Sequence, residues 1–72
     1  MRKNSIMKEI SLLEQEISVL EAKRSRSQAV ILEALITKTN PDETDVQFFR
    51  TFSAEIEVKR EHLQELYKQL QA

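Results

Sequence analysis

The sequence contains a single strong helix break, Asn40-Pro41-Asp42-Glu43, between two long stretches whose apolar residues recur at helical spacing. This segment holds the only proline, and the chain has no glycine that would break it a second time. Two helices joined by so short a break pack as antiparallel neighbours. The sequence therefore predicts an all-α fold, a coiled-coil-like antiparallel hairpin of two helices that fills residues 1–72 as one domain.

The first helix is predicted over about residues 5–38. Its apolar residues follow one another in steps of four and three, which is the pattern of a helix with one buried stripe. Ser5 is a favoured N-cap, because its hydroxyl can accept a hydrogen bond from an early amide. The stripe comprises Ile6, Ile10, Leu13, Ile17, Leu20, Ile31, Ala34 and Leu35.

The stripe is interrupted within residues 23–27, where Arg24 and Ser27 take positions at which apolar residues are due. The run is either a solvated helix middle with a polar layer in the seam or a basic contact patch. Because charged runs usually face water, the first interpretation is favoured.

The turn is predicted at about residues 38–41 and the second helix over about 41–71. Asn40 is a favoured N-cap, and Pro41 suits the first helical position because its missing amide would have been unpaired. A start at Thr44 is the alternative. The seam of this helix comprises Val46, Phe49, Ile56, Leu63, Tyr67 and Leu70, widened by Phe52 and Leu66 and interrupted by Ser53 and Arg60.

A turn near residue 40 also predicts which residues face each other across the hairpin. Arg24 is expected level with Arg60, either in a buried polar layer that fixes the register or with both side chains extending outward on their aliphatic stems. The predicted apolar pairs are Leu20 with Leu63, Ile17 with Leu66, Ile31 with Phe52, and Ala34 with Phe49.

Composition argues against several classes of function. The chain has 72 residues, 11 basic and 12 acidic, no cysteine and a single histidine, His62. Near-neutral charge disfavours nucleic-acid binding, and no apolar run approaches the roughly 20 residues needed to cross a bilayer. No pattern of a nucleophile, metal site, cofactor site or small-molecule substrate site is present. We expect a cytoplasmic protein that is not an enzyme and uses no cofactor.

Several apolar residues lie off the buried stripe or, at the N-terminus, beyond the expected reach of the second helix. Burying one large aliphatic side chain stabilises a protein by about 1.5–3 kcal/mol, and a chain this short has little core to spare. We therefore expect a permanent protein partner, either another protein or a second copy. The predicted partner-binding residues are Ile6, Met7, Ile10, Leu12, Val19, Val30, Ile36 and Phe48.

The segment Pro41-Asp42-Glu43, followed by residues 46–49 (Val-Gln-Phe-Phe), resembles the small YscE/EscE-type co-chaperones of type III secretion needle subunits. The resemblance covers the second half of the chain. It implies a bacterial cytoplasmic protein that pairs with a tetratricopeptide-like chaperone and stabilises it while that chaperone keeps the needle subunit from polymerising before export.

Two other interpretations stay open at this point. The chain is alternatively a homodimer, in which two hairpins form a four-helix bundle with a structural or regulatory task. A regulator that binds nucleic acid through Lys23, Arg24 and Arg26 is disfavoured by the balanced charge.

Overall fold

The computed structural model describes residues 2–72 and contains two helices, α1 (Arg2–Ile36) and α2 (Glu43–Gln71). The helices pack against each other along their length in a rod of 55 × 16 × 14 Å. That length matches one straight helix of the size of α1, at about 1.5 Å per residue. The predicted all-α hairpin is confirmed.

The first helix begins earlier than predicted, at Arg2 instead of at Ser5. Arginine and lysine favour helix, so the helix continues through Ser5 to Arg2 and Lys3. The prediction that Ser5 caps the helix is therefore wrong, since Ser5 lies inside it.

The end of α1 is a Schellman motif, the paired hydrogen-bond pattern that closes many helices. The amide of Thr39 donates to the carbonyl oxygen of Ala34 (2.8 Å), and the amide of Lys38 donates to that of Leu35 (3.2 Å). Lys38 adopts φ 60°, in the left-handed region that glycine usually occupies. The chain therefore reverses direction at Lys38, and α1 ends at Ile36 instead of near residue 38.

The second helix begins at Glu43, two residues after the predicted start. Its N-cap is Asp42, whose carboxylate accepts a hydrogen bond from the amide of Thr44 (2.9 Å). The prediction of Asn40 as the cap is wrong, although both residues favour that position. With Asp42 as the cap, the half-buried Pro41 and Val46 occupy the two positions of a hydrophobic staple.

The core consists of two clusters between the helices. One joins Ile10 and Leu13 to Leu66, and the other joins Ile17 and Leu20 to Ile56, which at 1% exposure is the most buried residue. Leu63 packs against both clusters, so they form a continuous seam.

The register differs from the predicted one. Of the predicted pairs, Leu20 with Leu63 agrees with the structure, since Leu63 packs against the cluster that contains Leu20. Leu66, however, packs with Ile10 and Leu13, about one helical turn from its predicted partner Ile17. Counted in residues, Leu13 is as far from the end of α1 as Leu66 is from the start of α2. Because the turn joins these two helix ends, residues at equal distances from it are expected to lie opposite each other. The prediction centred the turn near residue 40, whereas the chain reverses earlier, at Lys38.

Burial divides the hairpin lengthwise. All buried residues lie in the part nearer the chain ends, residues 2–27 and 53–71, which we call the terminal half. The part next to the turn, residues 28–52, which we call the loop half, contains only half-buried and exposed residues. The only buried polar residue described is Ser27, at the boundary between them.

Candidate protein-interaction surface

Most of the residues predicted to bind a partner are exposed. Six of the eight, Met7, Leu12, Val19, Val30, Ile36 and Phe48, leave about half or more of their surface in solvent. Whether they bind a partner stays a prediction.

The other two predicted partner-binding residues are covered within the hairpin. Ile10 is only 6% exposed, and Ile6 packs against the cluster that Ile10 forms with Leu13 and Leu66. The expectation that these two extend beyond the reach of α2 is wrong, because α2 continues to Gln71 and brings Leu70 against the same cluster.

Four further large apolar or aromatic residues are exposed. Leu35 was assigned to the buried stripe, but it is 57% exposed, so this assignment is wrong. Tyr67 lies at the edge of the seam, where its hydroxyl donates to Glu14 (2.9 Å). Leu32 lies beside the predicted surface near the turn. Val58 stands among charged residues and shows no periodicity that would have revealed it.

One flank of the hairpin carries an apolar groove of about 410 Å³, with Leu12 and Val19 on the α1 side and Glu55 on the α2 side. The ammonium of Lys59 contacts a carboxylate oxygen of Glu16 at 2.9 Å in this groove. Because both side chains are partly exposed, the pair adds little stability.

The opposite flank is polar and contains both arginines that were predicted to share a level. Arg24 and Arg60 line one groove together with Glu57 and Glu61. Arg60 donates to Glu21 across the hairpin, and its side chain is 54% exposed. The prediction that Arg60 lies in a buried polar layer is therefore wrong. Its side chain extends outward, as the alternative interpretation expected. Arg24 is half-buried.

The loop half presents a different surface, at the end of α1. Residues 29–36 read Ala-Val-Ile-Leu-Glu-Ala-Leu-Ile, with one charged residue among eight. Ile31 and Ala34 are half-buried, whereas Val30 and Leu32, each about 100° around the helix from Ile31 in opposite senses, are exposed. Ile36 is the most exposed of the large apolar residues, at 79%. This part of α1 is apolar on nearly every side, which is typical of a helix that is surrounded by other protein segments.

Phe48 adds an aromatic ring to the loop half. It stacks on Phe52, with ring centroids 5.9 Å apart and an angle of 18° between the rings. Phe52 in turn packs against the cluster of Ile17, Leu20 and Ile56. The stacking holds the exposed ring in a defined position, so little conformational entropy would be lost when a partner covers it.

Over the residues that the structure describes, neither helix has a stretch both long and apolar enough to span a membrane. The same residues include no cluster of three or more histidine, cysteine or acidic side chains suited to a metal ion.

Comparisons of this chain with known protein families, with characterised proteins and with solved structures found no match.

Proposed function

We propose that this chain is a small adaptor or co-chaperone whose hairpin docks on a second protein and stabilises it. One observation carries the proposal. Within residues 2–72, ten large apolar or aromatic side chains are exposed, whereas six apolar residues are buried in the core and four more, Ile6, Phe52, Leu63 and Leu70, pack against it half-buried. A small monomer that leaves as many large apolar side chains in water as it packs in its core is prone to association.

The resemblance in residues 41–49 supplies the specific form of the proposal. The partner would be a tetratricopeptide-like chaperone in the bacterial cytoplasm, and the pair would hold a type III secretion needle subunit before export. A hairpin with exposed apolar residues suits this role because it can cover a groove on the second chaperone without itself gripping the needle subunit.

Substitution of two exposed residues tests the proposal. Leu12→Asp and Phe48→Asp each place a charge on an exposed apolar position. We expect Leu12→Asp to abolish co-purification with the partner from native cells if the partner binds along the flank, and Phe48→Asp to abolish it if the partner binds near the turn. Helicity measured by circular dichroism should persist, because neither side chain is in the core. The matched controls are Ser11→Asp and Gln47→Asp, which add the same charge at the neighbouring exposed positions. Co-purification that survives both Leu12→Asp and Phe48→Asp would refute the proposed contact surface.

A second candidate, the homodimeric four-helix bundle, is favoured by the apolar flank. There Val19 lies between Glu16 and the exposed Lys23 along α1. If two copies packed antiparallel through Val19, Glu16 of each copy would lie near Lys23 of the other, so opposite charges would meet. Light scattering from the purified chain separates the candidates. The adaptor predicts a monomer or a poorly defined aggregate in the absence of its partner, and the bundle predicts a stable dimer.

A further inference from the structure

We infer that the partner binds the loop half of the hairpin, and that it offers a concave apolar surface with a basic rim. The inference rests on the proposed function and adds to it the location of the contact and the chemistry of the partner. The surface consists of the loop-end residues Val30, Leu32, Leu35, Ile36 and Phe48, all of which are exposed.

The concave shape follows from where the apolar residues lie around α1. Val30 lies on one side of the face of α1 that packs against α2, and Leu32 lies on the opposite side. Ile36 is one turn after Leu32 and lies on the same side as Leu32. A single flat helix packed on one flank would cover either Val30 or the pair of Leu32 and Ile36, but not both. A surface that wraps the end of the hairpin covers all three.

The basic rim follows from the charges around this surface. Residues 30–52 contain four acidic side chains, Glu33, Asp42, Glu43 and Asp45, and two basic ones, Lys38 and Arg50. None of the ion pairs described for residues 2–72 includes any of the six. Asp42 is engaged as the N-cap of α2 and Asp45 is half-buried, but neither carboxylate has a basic side chain as its partner in those ion pairs. Complementary charge at the edge of an interface speeds association and excludes wrong partners, so an acidic border selects a partner with lysine or arginine around its apolar surface.

The same charges argue against a second copy at this surface. Two hairpins packed loop end to loop end would bring Asp42, Glu43 and Asp45 of each copy close to those of the other. Like charges placed together in an interface oppose association. The loop half therefore fits a different protein better than it fits itself.

Photocrosslinking in cells of the native source tests the inference. The photoreactive residue p-benzoylphenylalanine replaces Ile36 or Leu32 in the loop half and, in a separate variant, Leu12 on the flank. All three side chains are exposed, and circular dichroism checks that each variant folds. We expect crosslinks from Ile36 and Leu32 to a different protein, in a segment where apolar residues are flanked by lysine or arginine.

A charge reversal supplies the second readout. Glu33→Lys should lower the crosslinking yield from Ile36 roughly threefold, since border charges mainly affect association rates. The control is Glu9→Lys, an equal charge change near the other end of α1, which should leave that yield unchanged. The substitution at Glu33 also places a cation near the C-terminus of a helix, where it does not oppose folding.

The outcomes separate the inference from the proposed function. Crosslinks from Leu12 alone would overturn the loop-end contact and leave the adaptor standing. A crosslink from position 36 to a second copy of this chain would mean that the loop half binds that copy and not a different protein, and would overturn the inference. A captured segment without basic residues, or a yield that Glu33→Lys does not lower, would overturn the basic rim. No crosslink from any of the three positions would overturn both proposals.

Discussion

The terminal half and the loop half of this hairpin are built from the same two helices but differ in what those helices bury. The terminal half contains every buried residue, and its cross-helix contacts include Glu16 with Lys59, Glu21 with Arg60 and Glu14 with Tyr67. In the loop half, the side-chain hydrogen bonds described are local ones at the helix ends, made by Thr37, Thr39 and Asp42.

This difference separates stability from recognition within one short chain. Burial between the helices stabilises the terminal half without any partner. The loop half only half-buries its apolar contacts and leaves Val30, Leu32, Leu35, Ile36 and Phe48 exposed. Helix capping and the stacking of Phe48 on Phe52 order this half. Such an arrangement lets a partner cover the loop half without disturbing the seam.

The largest expected effect tests whether the terminal half carries the stability. Ile56→Ala should lower the free energy of unfolding by about 2–5 kcal/mol, because it leaves a cavity at the most buried position. Ile31→Ala, at a half-buried position of the loop half, should lower it by about 1 kcal/mol or less. Urea denaturation followed by circular dichroism measures both. Val58→Ala is the control on α2, at a position 65% exposed, and should have almost no effect. Equal losses for Ile56→Ala and Ile31→Ala would refute the contrast between the halves.

The architecture and most of the seam could be predicted from the sequence. The four-three steps of Leu13, Ile17 and Leu20 mark a buried stripe whatever the register, because burial on one helix face depends mainly on local periodicity. The register could not be predicted in the same way. It depends on where the chain reverses, and a lysine in the left-handed conformation carries no signal of that reversal in the sequence.

The candidate surface was predicted only in part, for a related reason. Leu12, Val19, Val30 and Phe48 stand off the apolar periodicity and could be identified from it. Leu35 fits the periodicity and is nevertheless exposed. Burial also depends on which residues of the other helix lie opposite, and that follows from the register.

A smaller effect tests whether local capping orders the loop half. Asp42→Ala should lower the free energy of unfolding by about 1 kcal/mol, because the amide of Thr44 loses its acceptor. Asn40→Ala should have little effect, since Asp42 caps α2. Thermal denaturation of the two variants compares them directly. A greater loss for Asn40→Ala would mean that the helix begins two residues earlier in solution.

The reversal at Lys38 allows the loop half to be stabilised without adding any contact. Lys38→Gly should raise the free energy of unfolding by about 0.5–1 kcal/mol, because glycine adopts a positive φ without a steric penalty from Cβ. Lys38→Ala serves as the control, since alanine keeps Cβ and should give no such gain. Chemical denaturation of both variants measures the difference. Destabilisation by glycine would show that Lys38 does not hold this conformation in solution.

The smallest expected effect is a titration in the terminal half. The pKa of Tyr67 is raised above its ordinary value of 10.0, first by the hydrogen bond that its hydroxyl donates to Glu14, then by partial desolvation and by the charge of Glu14. The folded state thus favours the protonated phenol. This contribution to stability is complete below pH 10.0 and is lost as the pH rises through the folded-state pKa.

Because Tyr67 is the only tyrosine, ultraviolet absorbance reports its ionisation alone. Glu14→Gln should shift the midpoint down toward 10.0, whereas Glu9→Gln, at an exposed position in the same half, should leave it unchanged. Identical midpoints in the wild type and Glu14→Gln would mean that this cross-helix contact does not persist in solution.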